Sequence, residues 1–211
     1  KTPTSKKADI YLDWDLNRIQ VGKLRKMFPT IETLFPMLNS IDGILDCKLI
    51  TYCPIDSAMN VDLKSVYAAC ALHGKDMVLF SNESFRQIAD KLRFKDKKNN
   101  PIDEISVEFI AKDQLIDIFP FALDMDRYQF IVGGKHSMDM SFDYHIDVLK
   151  SPIPFNFGLN INGMIGDFKY KLGKTKYTSI YKKPMEYEVF RMSKQRKMDE
   201  VRAEIRAGMR K

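Results

Sequence analysis

The most regular pattern in the chain is a one-by-one alternation of apolar and polar residues. Met138, Met140, Phe142, Tyr144, Ile146 and Val148 alternate with Asp139, Ser141, Asp143, His145 and Asp147. Successive side chains on a strand point to opposite faces, so the run predicts a strand with one apolar and one solvated face. Phe155, Phe157, Leu159 and Ile161 repeat the pattern against Asn156, Asn160 and Asn162 and extend the same apolar surface. Further strands are predicted at Ala8 to Leu16, Ile44 to Tyr52, Val61 to Leu72, Met77 to Phe80, Ile105 to Ala111, Leu115 to Met125, Tyr128 to Val132, Phe157 to Ile165 and Phe168 to Leu172. The links between the later strands are short and rich in Gly, Pro and Asp, which demands antiparallel neighbours.

Three segments change period. Val21, Leu24, Met27, Phe28, Ile31, Leu34, Phe35 and Leu38 recur at three and four residues, the spacing of an amphipathic helix interrupted at Pro29, with Asp42-Gly43 as the turn that closes it. A second helix starts at Ser81 or Asn82 and carries Phe85, Ile88, Ala89 and Leu92 on one face. Near the C-terminus Met198, Val201, Ile205 and Met209 recur in the same way, predicting a helix from Ser193 to Met209. In that helix Arg196 and Glu200 attract while Arg202 and Arg206 repel. The fold expected from these patterns is α+β: a strongly curved antiparallel β-sheet or β-groove, with two amphipathic helices at one end and a C-terminal helix. The domains expected are residues 1–180, the β-groove, and 181–211, a basic helical tail.

Composition adds the scale. The 211 residues, 45% of them apolar, afford a sizeable core. The longest uncharged stretch, Ser151 to Gly166, is shorter than the roughly 18 residues of a spanning helix and is broken by Pro152 and Pro154. The chain opens on Lys1-Thr-Pro-Thr-Ser-Lys-Lys7, without Met or an apolar leader, which predicts a piece of a longer polypeptide. Of the net charge of +6, the segment from Arg191 to Lys211 holds +5, eight basic residues against three acidic. The body is therefore nearly neutral and offers no broad basic face to nucleic acid. The tail docks on the protein or a neighbouring copy, trails as a solvated end, or lies on an anionic membrane surface, where Arg191, Lys194, Arg196, Lys197, Arg202 and Arg206 would face the lipid headgroups.

Catalytic chemistry is sparse. Gly133-Gly134 lacks the following helix and the Lys-Ser/Thr of a phosphate loop. Asp139, Asp143, His145 and Asp147 stand too far apart along a strand to hold one ion and read as a solvated face. His73, His136 and His145 form no nucleophile pairing at a useful spacing. No cofactor, metal site or enzymatic role is predicted. Cys47, Cys53 and Cys70 read either as buried thiols or, in an oxidising compartment, as a Cys47–Cys70 bridge. The twelve methionines and fourteen phenylalanines suit a surface that accepts variable apolar partners. The groove would be lined by Met138, Met140, Phe142, Tyr144, Ile146, Val148, Phe157, Leu159 and Ile161. The bland alternative is a sheet whose apolar face is sealed by its own helices and whose edges bind a partner protein.

Several runs resemble the C-terminal region of AsmA-like proteins. They are Leu38 to Asp46, Lys75 to Phe80, Ser84 to Phe94, Ile118 to Tyr128 and, above all, Met140 to Phe155 through Gly173-Lys-Thr-Lys-Tyr177. The resemblance implies an apolar β-groove related to that of TamB-type proteins, no catalytic residues, and phospholipid or another acyl-chain lipid as ligand. It also implies the periplasm of a Gram-negative cell, as part of an inner-membrane-anchored protein whose anchor is missing from this segment. Lipid transport between membranes, or support of outer-membrane assembly with envelope proteins as partners, is the expected role. The segment from Lys182 to Lys211 has no counterpart in the resemblance.

Overall fold

The computed structural model describes residues 8–27, 39–58, 60–80, 99–125, 127–152, 154–164 and 167–210. Nine strands form one antiparallel sheet in strict chain order: β1 (Ala8–Gln20), β2 (Ile41–Ile55), β3 (Tyr67–Phe80), β4 (Asn99–Lys112), β5 (Leu115–Met125), β6 (Tyr128–Ser137), β7 (Ser141–Lys150), β8 (Phe157–Met164) and β9 (Asp167–Gly173). Among the described residues the first and last strands do not pair, so the sheet is open. Among the described residues the α-helices are α1 (Val21–Met27), α2 (Thr178–Lys182) and α3 (Pro184–Met209).

The register shows why alternation was so informative. Val132, Ile146 and Leu159 stand side by side with Leu172, and Tyr144 and Ile161 with Tyr170. The same face continues through Ile116 and Ile118 on β5, Phe109 and Ala111 on β4, Cys70 on β3, Leu49 on β2 and Trp14 on β1. One side of the sheet is thus apolar across all nine strands. Val21 and Leu24 of α1 join its core, with Cys47, Phe109, Tyr128, Phe130 and Val148.

The other side is covered by the chain's own C-terminus. After β9 the backbone doubles back beneath β8, close enough that any side chain at Gly158 would overlap the Lys174 carbonyl. The Tyr181 hydroxyl donates to the Pro120 carbonyl at 2.8 Å, beside β6. Helix α3 then crosses β4 to β1, packing Met198, Val201 and Ile205 on Ile50, Ala69 and Phe119. Lys194 pairs with Glu108, Tyr67 donates to Glu204 at 2.5 Å, and Arg206 reaches Asp13 at 3.0 Å. At the far end Gly208 lies so close to the Tyr11 ring that a Cβ would clash. Residues 174–209 therefore act as a strap from β8 to β1, and the helical tail is docked on the sheet.

Several sequence expectations need correction. Asp42-Gly43 is a bulge inside β2, where Gly43 adopts a φ of +136° that only glycine takes freely, and does not close a helix. Met77 to Phe80 continues β3 past His73-Gly74, while Val61 forms only an isolated bridge to Ile55 and Leu63–Ser65 is a 3-10 turn. Gly133-Gly134 lies within β6. Gly134, at a φ of +151°, makes room for the Tyr144 ring across the strand. Met138 to Met140 form the turn before β7, with Met140 at a φ of +74°. Of the first expected helix, Val21–Met27 is helical and residues 28–38 lie outside the described residues, as does the helix expected at Phe85 to Leu92. The C-terminal helix begins earlier than predicted, at Pro184, and the expected repulsion of Arg202 and Arg206 is relieved because each faces an acid, Asp199 at 3.1 Å and Asp13 at 3.0 Å.

The packing of α3 makes a direct prediction. Ile205 is 2% exposed and Met192 65% exposed on opposite sides of the same helix. Ile205→Ala should cost about 2–5 kcal/mol in chemical denaturation through lost burial and a residual cavity, whereas Met192→Ala should stay within about 0.5 kcal/mol.

Candidate functional site

The residues nominated for an apolar groove are brought together. Phe142, Tyr144, Ile146 and Val148 on β7 and Phe157, Leu159 and Ile161 on β8 share one face, because Val148 pairs with Phe157, Ile146 with Leu159 and Tyr144 with Ile161. Met138 packs on the same core from the preceding turn, and Met140 is half-buried in that turn. Their exposure is graded. Val148, Leu159 and Ile161 are buried, while Phe142, Tyr144, Ile146 and Phe157 are half-buried. On β9, which sequence reasoning left out of the list, Tyr170 is 43% and Leu172 67% exposed. Its alternation of Phe168, Tyr170 and Leu172 with Lys169 and Lys171 was a signal of the same kind, overlooked because the strand is short.

Few polar groups interrupt this face. His136 sits on it, buried, with its Nδ1 3.4 Å from the Tyr144 hydroxyl. Burial pushes the His136 imidazole below its ordinary value, and the more distant Asp139 charge opposes this more weakly. Burial likewise pushes the Tyr144 hydroxyl up to about 12. Both groups are therefore neutral near pH 7, and the face carries no charge at these positions. The Phe142 and Tyr144 rings stack with centroids 5.5 Å apart, and Phe168 tilts against Phe142 at 6.2 Å.

The opposite side of β7 corrects a second expectation. Asp143 is exposed as expected, but His145 is 6% and Asp147 0% exposed. The alternation assigned them to the correct face, and that face is covered by the returning strap. Asp147 accepts hydrogen bonds from the backbone amides of Lys176 and Tyr177 at 2.8 and 2.7 Å and from the Thr178 hydroxyl at 2.9 Å, and His145 Nε2 lies 2.7 Å away. His145 Nδ1 meets Asn160 Oδ1 at 2.7 Å. Both imidazole nitrogens are thus engaged, and the pair serves as an anchor for the strap with no ring nitrogen left to take a proton from a nucleophile.

His73 Nδ1 lies 2.9 Å from Ser106 Oγ, but the carboxylate of Glu104 is 3.7 Å from Nε2, too far to orient the ring by a hydrogen bond, and the group lies on the sheet surface. A shallow pocket of about 460 Å³ is lined by Leu115, Lys135, Ser141, Phe142, Asp143 and Met164. No cluster of metal-ligating side chains occurs among the described residues. Cys47, Cys53 and Cys70 are buried free thiols, so the Cys47–Cys70 bridge is not formed. The hydrogen bond with Cys47, and burial after it, push the Cys70 thiol up.

The basic tail candidates divide between the sheet and solvent. Lys194 and Arg206 pair with Glu108 and Asp13 of the sheet, Lys197 stands over the Phe119 ring, and Arg191, Arg196 and Arg202 pair with acids of α3 itself. The stripe that was to enter a membrane, Met198, Val201 and Ile205, is occupied by the sheet. No helix among the described residues is long and apolar enough to cross a membrane. No family model, curated protein or solved structure matches the chain.

Two measurements test this geometry. Asp147→Ala leaves three donors of the strap and His145 without their acceptor and should cost about 3–5 kcal/mol in urea denaturation. His136 is depressed in the folded state, so below its ordinary value of about 6.5 the unfolded chain binds a proton that the folded chain resists. Stability should fall as the pH drops from 6.5 toward 5, and His136→Asn should flatten that slope in denaturation curves recorded across this window.

Proposed function

We propose that this chain is a non-enzymatic lipid-binding domain, in which the sheet curves toward its apolar face to form a groove for acyl chains. The observation that carries the reading is the division of labour between the two faces. The C-terminal strap is spent on one side of the sheet, and the other side is apolar in every strand and grows more exposed toward β9. Burying the exposed part of this face under acyl chains contributes about 25 cal/mol per Å² of area removed from water. Such a face selects chain character more than headgroup identity, which fits its aromatic, Met and branched aliphatic lining.

The resemblance to AsmA-like proteins supports the same reading and extends it. It implies the periplasm of a Gram-negative envelope, a tether to the inner membrane by a segment outside this sequence, and a part in moving phospholipid or in outer-membrane assembly. The alternative, a sealed structural module that extends a neighbouring sheet, is favoured by the two unpaired sheet edges at β1 and β9.

Organic extraction of the purified protein followed by mass spectrometry separates the two. Co-purified phospholipid is expected on the groove reading, and an empty protein of unchanged stability would support the sealed module. Leu172→Asp, at an exposed site, should reduce bound lipid several-fold with the melting temperature preserved. By contrast Ile161→Asp places an unpaired carboxylate at a site only 5% exposed and should unfold the protein.

A further inference from the structure

The exposed end of the apolar face coincides with a run of exposed lysines. Strand β9 alternates Phe168, Tyr170 and Leu172 on the apolar side with Lys169 and Lys171 on the other, and Lys174 and Lys176 follow directly. All four lysines are exposed, and Asp167 is the one acid between residues 167 and 176. The strand-facing neighbours on β8 are the neutral Asn160 and Asn162. Beyond β9 the edge pairs with no strand among the described residues.

We infer that the β9 edge docks on the surface of an anionic phospholipid bilayer. The lysines lie against the phosphate oxygens while Tyr170 and Leu172 sit at the boundary of headgroup and acyl chain. Three features favour that occupant. Residues two apart on a strand are about 7 Å apart, so Lys169 and Lys171 address neighbouring headgroups as separate point charges. A tyrosine beside flexible lysine stems is the amphipathic arrangement suited to a membrane interface. The apolar side of β9 is also continuous in register with Ile161 and Leu159, so a docked edge opens the apolar face directly onto the bilayer. The inference rests on the lipid-binding reading for its purpose and on the charge and exposure of β9 for its geometry.

The test is flotation of the full chain with vesicles of phosphatidylcholine alone or mixed with phosphatidylglycerol. Binding is expected only to the mixed vesicles and should weaken steeply with salt. Lys169→Gln with Lys171→Gln should lower the partition coefficient roughly 25-fold, about fivefold per lysine removed, with the thermal melt unchanged because both side chains are exposed. A tail variant, Arg191→Gln with Arg196→Gln, should bind as the parent does. Equal binding by the β9 variant and the parent, or a loss confined to the tail variant, would overturn the inference, and so would equal binding to the neutral vesicles. Lipid analysis of the same preparations keeps the two readings apart. An empty protein that still floats through β9 sinks the groove and keeps the docking edge, and a lipid-loaded protein that ignores anionic vesicles does the reverse.

Discussion

A carboxylate with no solvent exposure holds the architecture in its asymmetric form. Asp147 sits on the strap side of β7 and accepts two amides and a hydroxyl from residues 176–178, with His145 completing its shell. An ionised side chain in that position is tolerable only when its lone pairs are filled, and four partners fill them. The same hydrogen bonds satisfy the backbone amides of Lys176 and Tyr177 just ahead of α2. Fixing the chain at this point decides which side of the sheet the following residues cover. The consequence reaches the opposite face, which the strap never visits.

Beyond that anchor the strap is held by different physics along its length. Met198, Val201 and Ile205 bury apolar area against Ile50, Ala69 and Phe119, which is where most of the docking energy of α3 resides. The ion pairs flanking it, Arg206 with Asp13 and Lys112 with Glu204, involve side chains about half exposed or more, and pairs of that kind contribute little each. They set the position of the helix more than its affinity. At the far end Gly208 lies against the tip of the Tyr11 ring, which a Cβ there would push aside.

What the sequence disclosed follows from this division. Alternation is a local property, so the strands, their antiparallel order and the apolar face of β7 and β8 were legible directly. The length of β3 was not, because His73-Gly74-Lys75-Asp76 has the composition of a turn while Asp76, at a φ of +51°, absorbs an irregularity within a continuing strand. Nor was the burial of His145 and Asp147. Periodicity tells which residues share a face, and whether that face is wet depends on residues thirty positions away. The tail shows the same limit from the other side. Its apolar stripe at Met198, Val201 and Ile205 was plain, but a stripe of that width fits a membrane surface or a sheet equally well, and only the tertiary structure places it on β2 and β3. The edge strand β9 was assigned correctly as a strand and overlooked as a surface, since the exposure of Leu172 depends on the absence of a following strand.

The two ends of the sheet differ in a way that bears on how an open, apolar sheet stays unaggregated. An exposed edge with alternating large apolar residues is a template for pairing with another chain. Strand β1 meets this hazard with Asp9, Asp13 and Asp15 on one side, where Arg206 and Lys48 hold two of them in pairs. Strand β9 carries Lys169 and Lys171, and the ion pairs of α3 with the sheet, at Glu108, Lys112 and Asp13, lie on β4 and β1. Two β9 edges brought together antiparallel would set lysine against lysine on one face while matching apolar residues on the other. Self-pairing is thereby penalised by charge, whereas a surface of phosphates meets the same lysines as counterions. The residues that keep the edge from joining a second copy are those that fit it to an anionic bilayer, so a single row of charge both protects the open end of the apolar face and gives it a direction.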